Sequence, residues 1–92
     1  SVTTANSFEL YQNEPNPFHK DCIIKYRLPE ASDVKLTIYD VTGKVIRIYE
    51  LQGQKGMNSI KLLQQELNTT GVLYYQLDAS NHTATKRMVV IE

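Results

Sequence analysis

Asp33-Val34-Lys35-Leu36-Thr37-Ile38-Tyr39-Asp40 decides the fold class of this 92-residue chain. Val34, Leu36 and Ile38 alternate with Lys35, Thr37 and Tyr39. Successive side chains of an extended strand point to opposite faces, so this pattern buries one face and wets the other. Val41-Thr42-Gly43-Lys44 follows as a tight turn. Asp40 can accept hydrogen bonds from the turn amides, and Gly43 supplies a positive φ without steric cost.

The same period appears on both sides of that stretch. Upstream, Cys22, Ile24, Tyr26 and Leu28 form an apolar set against Asp21, Lys25 and Arg27, with Ile23 as the exception. Pro29 has no N–H to donate and stops that ladder. A short first strand is expected over Phe8–Tyr11. Downstream, a strand over 44–51 breaks the alternation: Ile46 and Ile48 fall on one face, Val45 and Leu51 on the other. That reads as a bulge or an edge. After a turn at 52–56, Met57–Leu63 carries Ile60 and Leu62 inward. Residues 64–70 read as a short helical turn or loop with Leu67 as a plug. From Gly71, Leu73, Tyr75 and Leu77 face one way, and Tyr74, Gln76 and Asp78 the other. Ser80-Asn81-His82 is a hairpin turn, and Thr83–Ile91 is the last strand.

Seven short strands punctuated by turns predict an all-β, antiparallel seven-stranded two-sheet β-sandwich, immunoglobulin-like in architecture. A small closed barrel is the alternative, and it would need the first and last strands to pair. Residues 1–7 read as a linker or arm, and 8–92 as the domain. The expected core includes Cys22, Ile24, Leu36, Ile38, Leu73, Tyr75, Leu77 and Met88.

Composition excludes several functions. Ten basic residues balance ten acidic ones, so the electrostatic footprint of a nucleic-acid binder is missing. Charge alone would not hold the chain on anionic lipid. Cys22 is the single cysteine, which rules out an intramolecular disulfide and reads as a small buried hydrophobe. No apolar run approaches the roughly 20 residues a spanning helix needs. Ser1–Asn6 lacks the basic start and apolar middle of a signal peptide, so for an exported protein the signal is expected on a larger parent chain.

Two elements stand out as recognition candidates. Pro15-Asn16-Pro17-Phe18 is a rigid loop: the prolines fix two φ angles, and Phe18 is an apolar anchor. Its bland role is a strand-to-strand crossover. The other is the C-terminal stretch Lys86-Arg87-Met88-Val89-Val90-Ile91. There the bland reading is basic residues blunting an exposed edge, and the functional one is a strand offered to a receptor by edge addition. Chemistry finds little footing. Asp78, Ser80 and His82 are near in sequence, but a triad needs a geometry that a hairpin tip rarely holds. Asp33, Asp40 and Asp78 lack the spacing of an oxygen-ligand loop. No catalytic residue, cofactor or metal site is assigned. Sugar stacking would need Tyr39, Tyr49 and Tyr74 to converge on one outward face.

The order of these pieces resembles the type A C-terminal sorting domains of the type IX (Por) secretion system of Bacteroidetes-like bacteria. The likeness runs from about Phe8 to Ile91. It includes Leu10-Tyr11-Gln12-Asn13 before the Pro loop, then Tyr26-Arg27-Leu28-Pro29, and Val34 to Asp40 with Gly43-Lys44. Gly71-Val72-Leu73-Tyr74 and Thr85-Lys86-Arg87-Met88-Val89 close it. Leu73 departs from the aromatic common in the family's Gly-Val-Tyr, and Glu14 stands where a Tyr is frequent.

The resemblance implies a secretion signal, not an enzyme. It would carry a larger N-terminal passenger across the outer membrane, from the periplasm to the cell surface or medium. The implied partners are the translocon, an outer-membrane shuttle barrel and a sortase-like cysteine protease cutting within residues 1–7. Pro15, Asn16, Pro17, Phe18, Asp40, Gly43, Gly71 and Lys86 to Ile91 are the implied sorting residues. The rival reading is an immunoglobulin-like accessory module of a multidomain exported protein, which could sit anywhere in its parent. A sorting domain is expected at the extreme C-terminus, and stopping just after the last strand favours it.

Overall fold

A computed structural model describes residues 7–92. Of the arm expected over 1–7, residues 1–6 lie outside them. Seven strands and one helical turn follow in order: β1 (Glu9–Leu10), β2 (Asp21–Leu28), β3 (Ser32–Asp40), β4 (Val45–Gly53), β5 (Gly56–Leu63), α1 (Gln64–Leu67), β6 (Gly71–Ala79) and β7 (His82–Val90). They form a three-stranded sheet, β1-β2-β5, and a four-stranded sheet, β4-β3-β6-β7, with every named pair antiparallel. This is the expected sandwich and not a barrel. β1 and β7 lie in different sheets.

Alternation builds the core. β2 reads exposed-buried from Asp21 to Tyr26, and β3 and β6 follow the same rule. All eight expected core residues are buried, and Phe18, Leu62, Leu67 and Val90 join them. Fully burying one such aliphatic side chain is worth about 1.5–3 kcal/mol, so the two inner faces dominate stability.

Two expectations change in detail. β1 shrinks to two paired residues, Glu9 opposite Arg27 and Leu10 opposite Tyr26. The irregular fourth strand is both an edge and bulged. Ile38 pairs with Arg47 but Tyr39 pairs with Val45, which leaves Ile46 as the extra residue. A bulge resets which side chains face inward. Ile46 therefore packs on the core together with Tyr49 and Leu51, whereas Ile48 is exposed; the pairing of Ile46 with Ile48 on one face does not hold.

The two long edges of the sandwich are closed differently. Beside β4 and β5, α1 inserts Leu67, and Glu66 Oε1 accepts a 3.0 Å hydrogen bond from the Tyr49 hydroxyl. Beside β2 and β7, the segment between β1 and β2 runs as a seam. Glu14 exchanges two backbone bonds with Ile23 of β2, and Phe18 forms a parallel bridge with Val90 of β7. Both X–Pro bonds in this seam, Glu14–Pro15 and Asn16–Pro17, are cis.

Register then gives the body two poles along its 44 Å axis. At one pole the chain enters at Ser7 and Phe8. Phe8 stacks on His82 at 5.0 Å between ring centroids. At the other lie the Pro loop, the turn after β3, α1, Gly71 and the end of β7. Gly71 pairs with Val90, Asp40 with Leu73, and Gln64 N–H donates to Lys20 O.

A candidate recognition pole

The Pro loop and the C-terminal strand, more than 70 residues apart, form one site. Antiparallel pairing with β6 turns the backbone groups of alternate β7 residues away from that partner, toward the seam. The seam meets them in order. The Gln12 side chain donates to Arg87 O at 2.6 Å, and Asn16 Oδ1 accepts from Val89 N–H at 3.0 Å. Phe18 N–H donates to Val89 O at 3.0 Å, and Ile91 N–H donates to Phe18 O at 2.9 Å. The β7 edge is thus not open from Arg87 onward, which corrects the picture of a bare terminal edge.

A buried polar node anchors the seam. Asn13 is only 1% exposed, so its polar groups must be satisfied internally. Its backbone N–H donates to the Tyr75 hydroxyl at 2.9 Å, which donates in turn to Tyr11 O at 2.9 Å. The Asn13 carboxamide donates to Pro15 O and accepts from Gln12 Nε2. Burial pushes the Tyr75 phenol up to about 12, against a smaller opposing effect of the Asn13 bond. Burial likewise pushes the Cys22 thiol up to about 11, partly offset by a hydrogen bond with Asn13. Cys22 is therefore a neutral core group at physiological pH.

At the same pole, Asp40 organises the turn. Its carboxylate accepts from the Thr42 hydroxyl at 2.6 Å, from Thr42 N–H at 2.9 Å and from Lys44 N–H at 3.0 Å. These bonds, led by the Thr42 hydroxyl, hold its carboxyl below the usual range. Gly43 has φ +91, a region that L side chains rarely adopt. Gly71 also has positive φ, at the start of β6 opposite Val90.

Lys86 and Arg87 separate. Arg87 is exposed on the outer face opposite Tyr74; Lys86 is half-buried on the core-facing side opposite Tyr75, in line with Ala84 and Met88. Met88 and Val90 are buried, Val89 is half-buried and Ile91 is exposed. The pole thus unites Pro15, Asn16, Pro17, Phe18, Asp40, Gly43, Gly71, Val89, Val90 and Ile91, with Arg87 and Met88 just below.

The three outward tyrosines do not converge. Tyr39 and Tyr74 stack on each other at 5.8 Å, while Tyr49 is turned to the core side and bonded to Glu66. His82 is committed to Phe8, and the Asp78 carboxylate accepts from Gln76. Gln12, Asn13 and the Tyr75 hydroxyl are the site members that the sequence reading missed. Their one available signal was the density of carboxamides around prolines that cannot donate.

Fold and site together define a small immunoglobulin-like β-sandwich whose sequence peculiarities gather at one end. The family of secretion system C-terminal sorting domains matches residues 14–91, and the chain belongs to it. It is a type IX secretion sorting domain. No curated protein matches the sequence. Membership implies a passenger N-terminal to the domain, the type IX machinery as partner, and export to the cell surface or medium.

Proposed function

We propose that the pole formed by the Pro loop, the Asp40–Lys44 turn, Gly71 and the end of β7 is the surface that the type IX machinery reads. The observation that carries this reading is the seam: four hydrogen bonds join Gln12, Asn16 and Phe18 to Arg87, Val89 and Ile91. The motif residues of both chain ends thereby become one folded epitope. The translocon and an outer-membrane shuttle barrel engage it while the domain is in the periplasm. The passenger leaves from the opposite pole, where Ser7 and Phe8 enter the fold, and a sortase-like cysteine protease cuts within residues 1–7. The domain contributes an address and no catalysis of its own.

The test is a fusion of residues 7–92 to a periplasmic reporter in a bacterium that has this secretion system. The expected result is reporter outside the cell. Reporter retained in the periplasm, with the domain folded and intact, would overturn the reading.

A further inference from the structure

The two outer faces of the sandwich differ. On the β2–β5 side, Asp21, Lys25, Arg27 and Lys61 point outward, with Ile23 and Met57 set singly among them. Scattered apolar residues on a charged surface are ordinary. On the β4-β3-β6-β7 side, register sorts the outward residues into rows. Glu50, Lys35, Asp78 and Thr83 form the row nearest the chain's entry. Ile48, Thr37, Gln76 and Thr85 form the next. Val45, Tyr39, Tyr74 and Arg87 form the third, and Val72 lies beside Val89 in the last. Val45, Ile48 and Val72 are 50%, 48% and 38% exposed, and Val41 in the adjoining turn is 67% exposed. Tyr39 and Tyr74 stack on each other between them. The half of this face toward the seam is therefore apolar, and it is bounded on the entry side by a row of alternating charge. A contiguous apolar patch with a polar rim marks an interaction surface.

We infer that this face docks a second copy of the chain, sheet on sheet, about a two-fold axis lying parallel to the strands between β3 and β6. The argument for that occupant is that the face complements itself. A two-fold contact joins the same patch on both copies. This axis leaves each row facing its own counterpart and exchanges β3 with β6. Lys35 of one copy then meets Asp78 of the other, and Tyr39 meets Tyr74, each contact occurring twice. Charged groups meet opposite charge, and apolar groups meet apolar ones. An axis across the strands, centred on the face, would lay the charged row over the apolar one and desolvate charges without partners. The chain carries ten basic and ten acidic residues, so two copies do not repel through net charge. Twisted sheets pack face to face in this aligned manner. Four strands about 4.8 Å apart, over seven residues at about 3.3 Å each, give a footprint of about 400 Å² per copy. That is about half the area per partner of a standard interface, so the dimer is weak and reversible. The inference does not rest on the export reading, because self-association is measured without secretion.

The experiment is sedimentation velocity and NMR dilution on the 92-residue chain under reducing conditions, from about 10 µM to about 1 mM, the range in which a small interface associates. The expected result is a reversible monomer–dimer equilibrium. On dilution the amides of Thr37, Ile48, Val72 and Tyr74 should shift, while those of Ile23 and Lys25 on the opposite face stay still. Ile48→Lys places a charge in the apolar half at an exposed site and should weaken association about tenfold or more, with circular dichroism and melting unchanged. Lys35→Asp and Asp78→Lys should each weaken association, and the double variant Lys35→Asp/Asp78→Lys should restore it to within about threefold of the parent, as a charge pair across the two copies requires. A chain that stays monomeric at about 1 mM overturns the inference and leaves the face to a different protein. Dilution shifts confined to the β2–β5 face overturn it too, as does a folded Ile48→Lys that associates like the parent. A dimer that the charge exchange fails to restore overturns the proposed axis.

Discussion

Single residues divide into those that fill space and those that satisfy bonds. Leu36 is fully buried between the sheets. Leu36→Ala should cost about 2–5 kcal/mol through lost transfer energy plus a cavity, measured as a lowered urea midpoint. Tyr75→Phe is subtler. It keeps the ring but strands the buried Asn13 N–H and removes the bond to Tyr11 O. An unpaired buried donor costs about 1–3 kcal/mol; the loss should appear in denaturation, with exchange at the Asn13 amide rising more than at Leu36. Cys22 supplies a pH prediction. Its folded pKa is raised by burial from 9.0 to about 11, and Tyr75 shifts in the same direction. A raised acid favours folding fully below its unfolded value, and that contribution is lost as pH climbs through the folded value. Stability should therefore fall between about pH 9 and 11, and Cys22→Ala should flatten that part of the profile. A thiol reagent at neutral pH should label Cys22 only when denaturant is present.

At the scale of elements, β7 carries the sharpest test. Its alternation sends Arg87 to solvent and Lys86 toward the sandwich side. Arg87→Ala should change stability by no more than about 0.5 kcal/mol, as for an ordinary surface site. Lys86→Ala removes an aliphatic stem that covers apolar surface and should cost more, about 1 kcal/mol. Arg87→Ala alone therefore separates recognition from folding better than a double substitution. In a reporter fusion it is expected to reduce export while circular dichroism and melting stay unchanged. Export equal to the parent would assign Arg87 to edge protection and move recognition to the Pro loop. The bulge in β4 teaches a related lesson. Alternation fails there because one inserted residue, Ile46, shifts the inward set to Tyr49 and Leu51.

For the whole molecule, the arrangement of poles matters most. The chain enters at Phe8 beside His82, while the seam and the end of β7 lie at the far end of a body 44 Å long. A passenger at the entry pole leaves the proposed recognition pole unobstructed. A second folded reporter attached after Glu92 would crowd it instead. That fusion should fold, by circular dichroism and melting, and should stay in the periplasm. Efficient export of a C-terminally extended domain would sink the assignment of recognition to this pole.

Most of the fold was legible in the sequence because alternation is a local signal. Val34, Leu36 and Ile38, or Leu73, Tyr75 and Leu77, declare a strand and its buried face from one short window. Pro29, Gly43 and Gly71 punctuate the strands through backbone rules that act on single residues. The plug at Leu67 was readable for the same reason, as an apolar residue within a polar stretch. The strand order β4-β3-β6-β7 was not, nor was the closing of the β2–β7 side by a proline-rich segment. The roles of Gln12, Asn16 and Phe18 depend on backbone groups of Arg87, Val89 and Ile91 that carry no residue-type signature and leave no trace in composition, and that of Asn13 depends on the distant Tyr75 hydroxyl. The face taken by Lys86 follows from β7 pairing with β6 and from which side of that pair the second sheet covers. Local periodicity determined which residues are strands and which are core; only tertiary packing decided that the two ends of the chain are one site, because hydrogen bonds across the seam join groups brought together by folding alone.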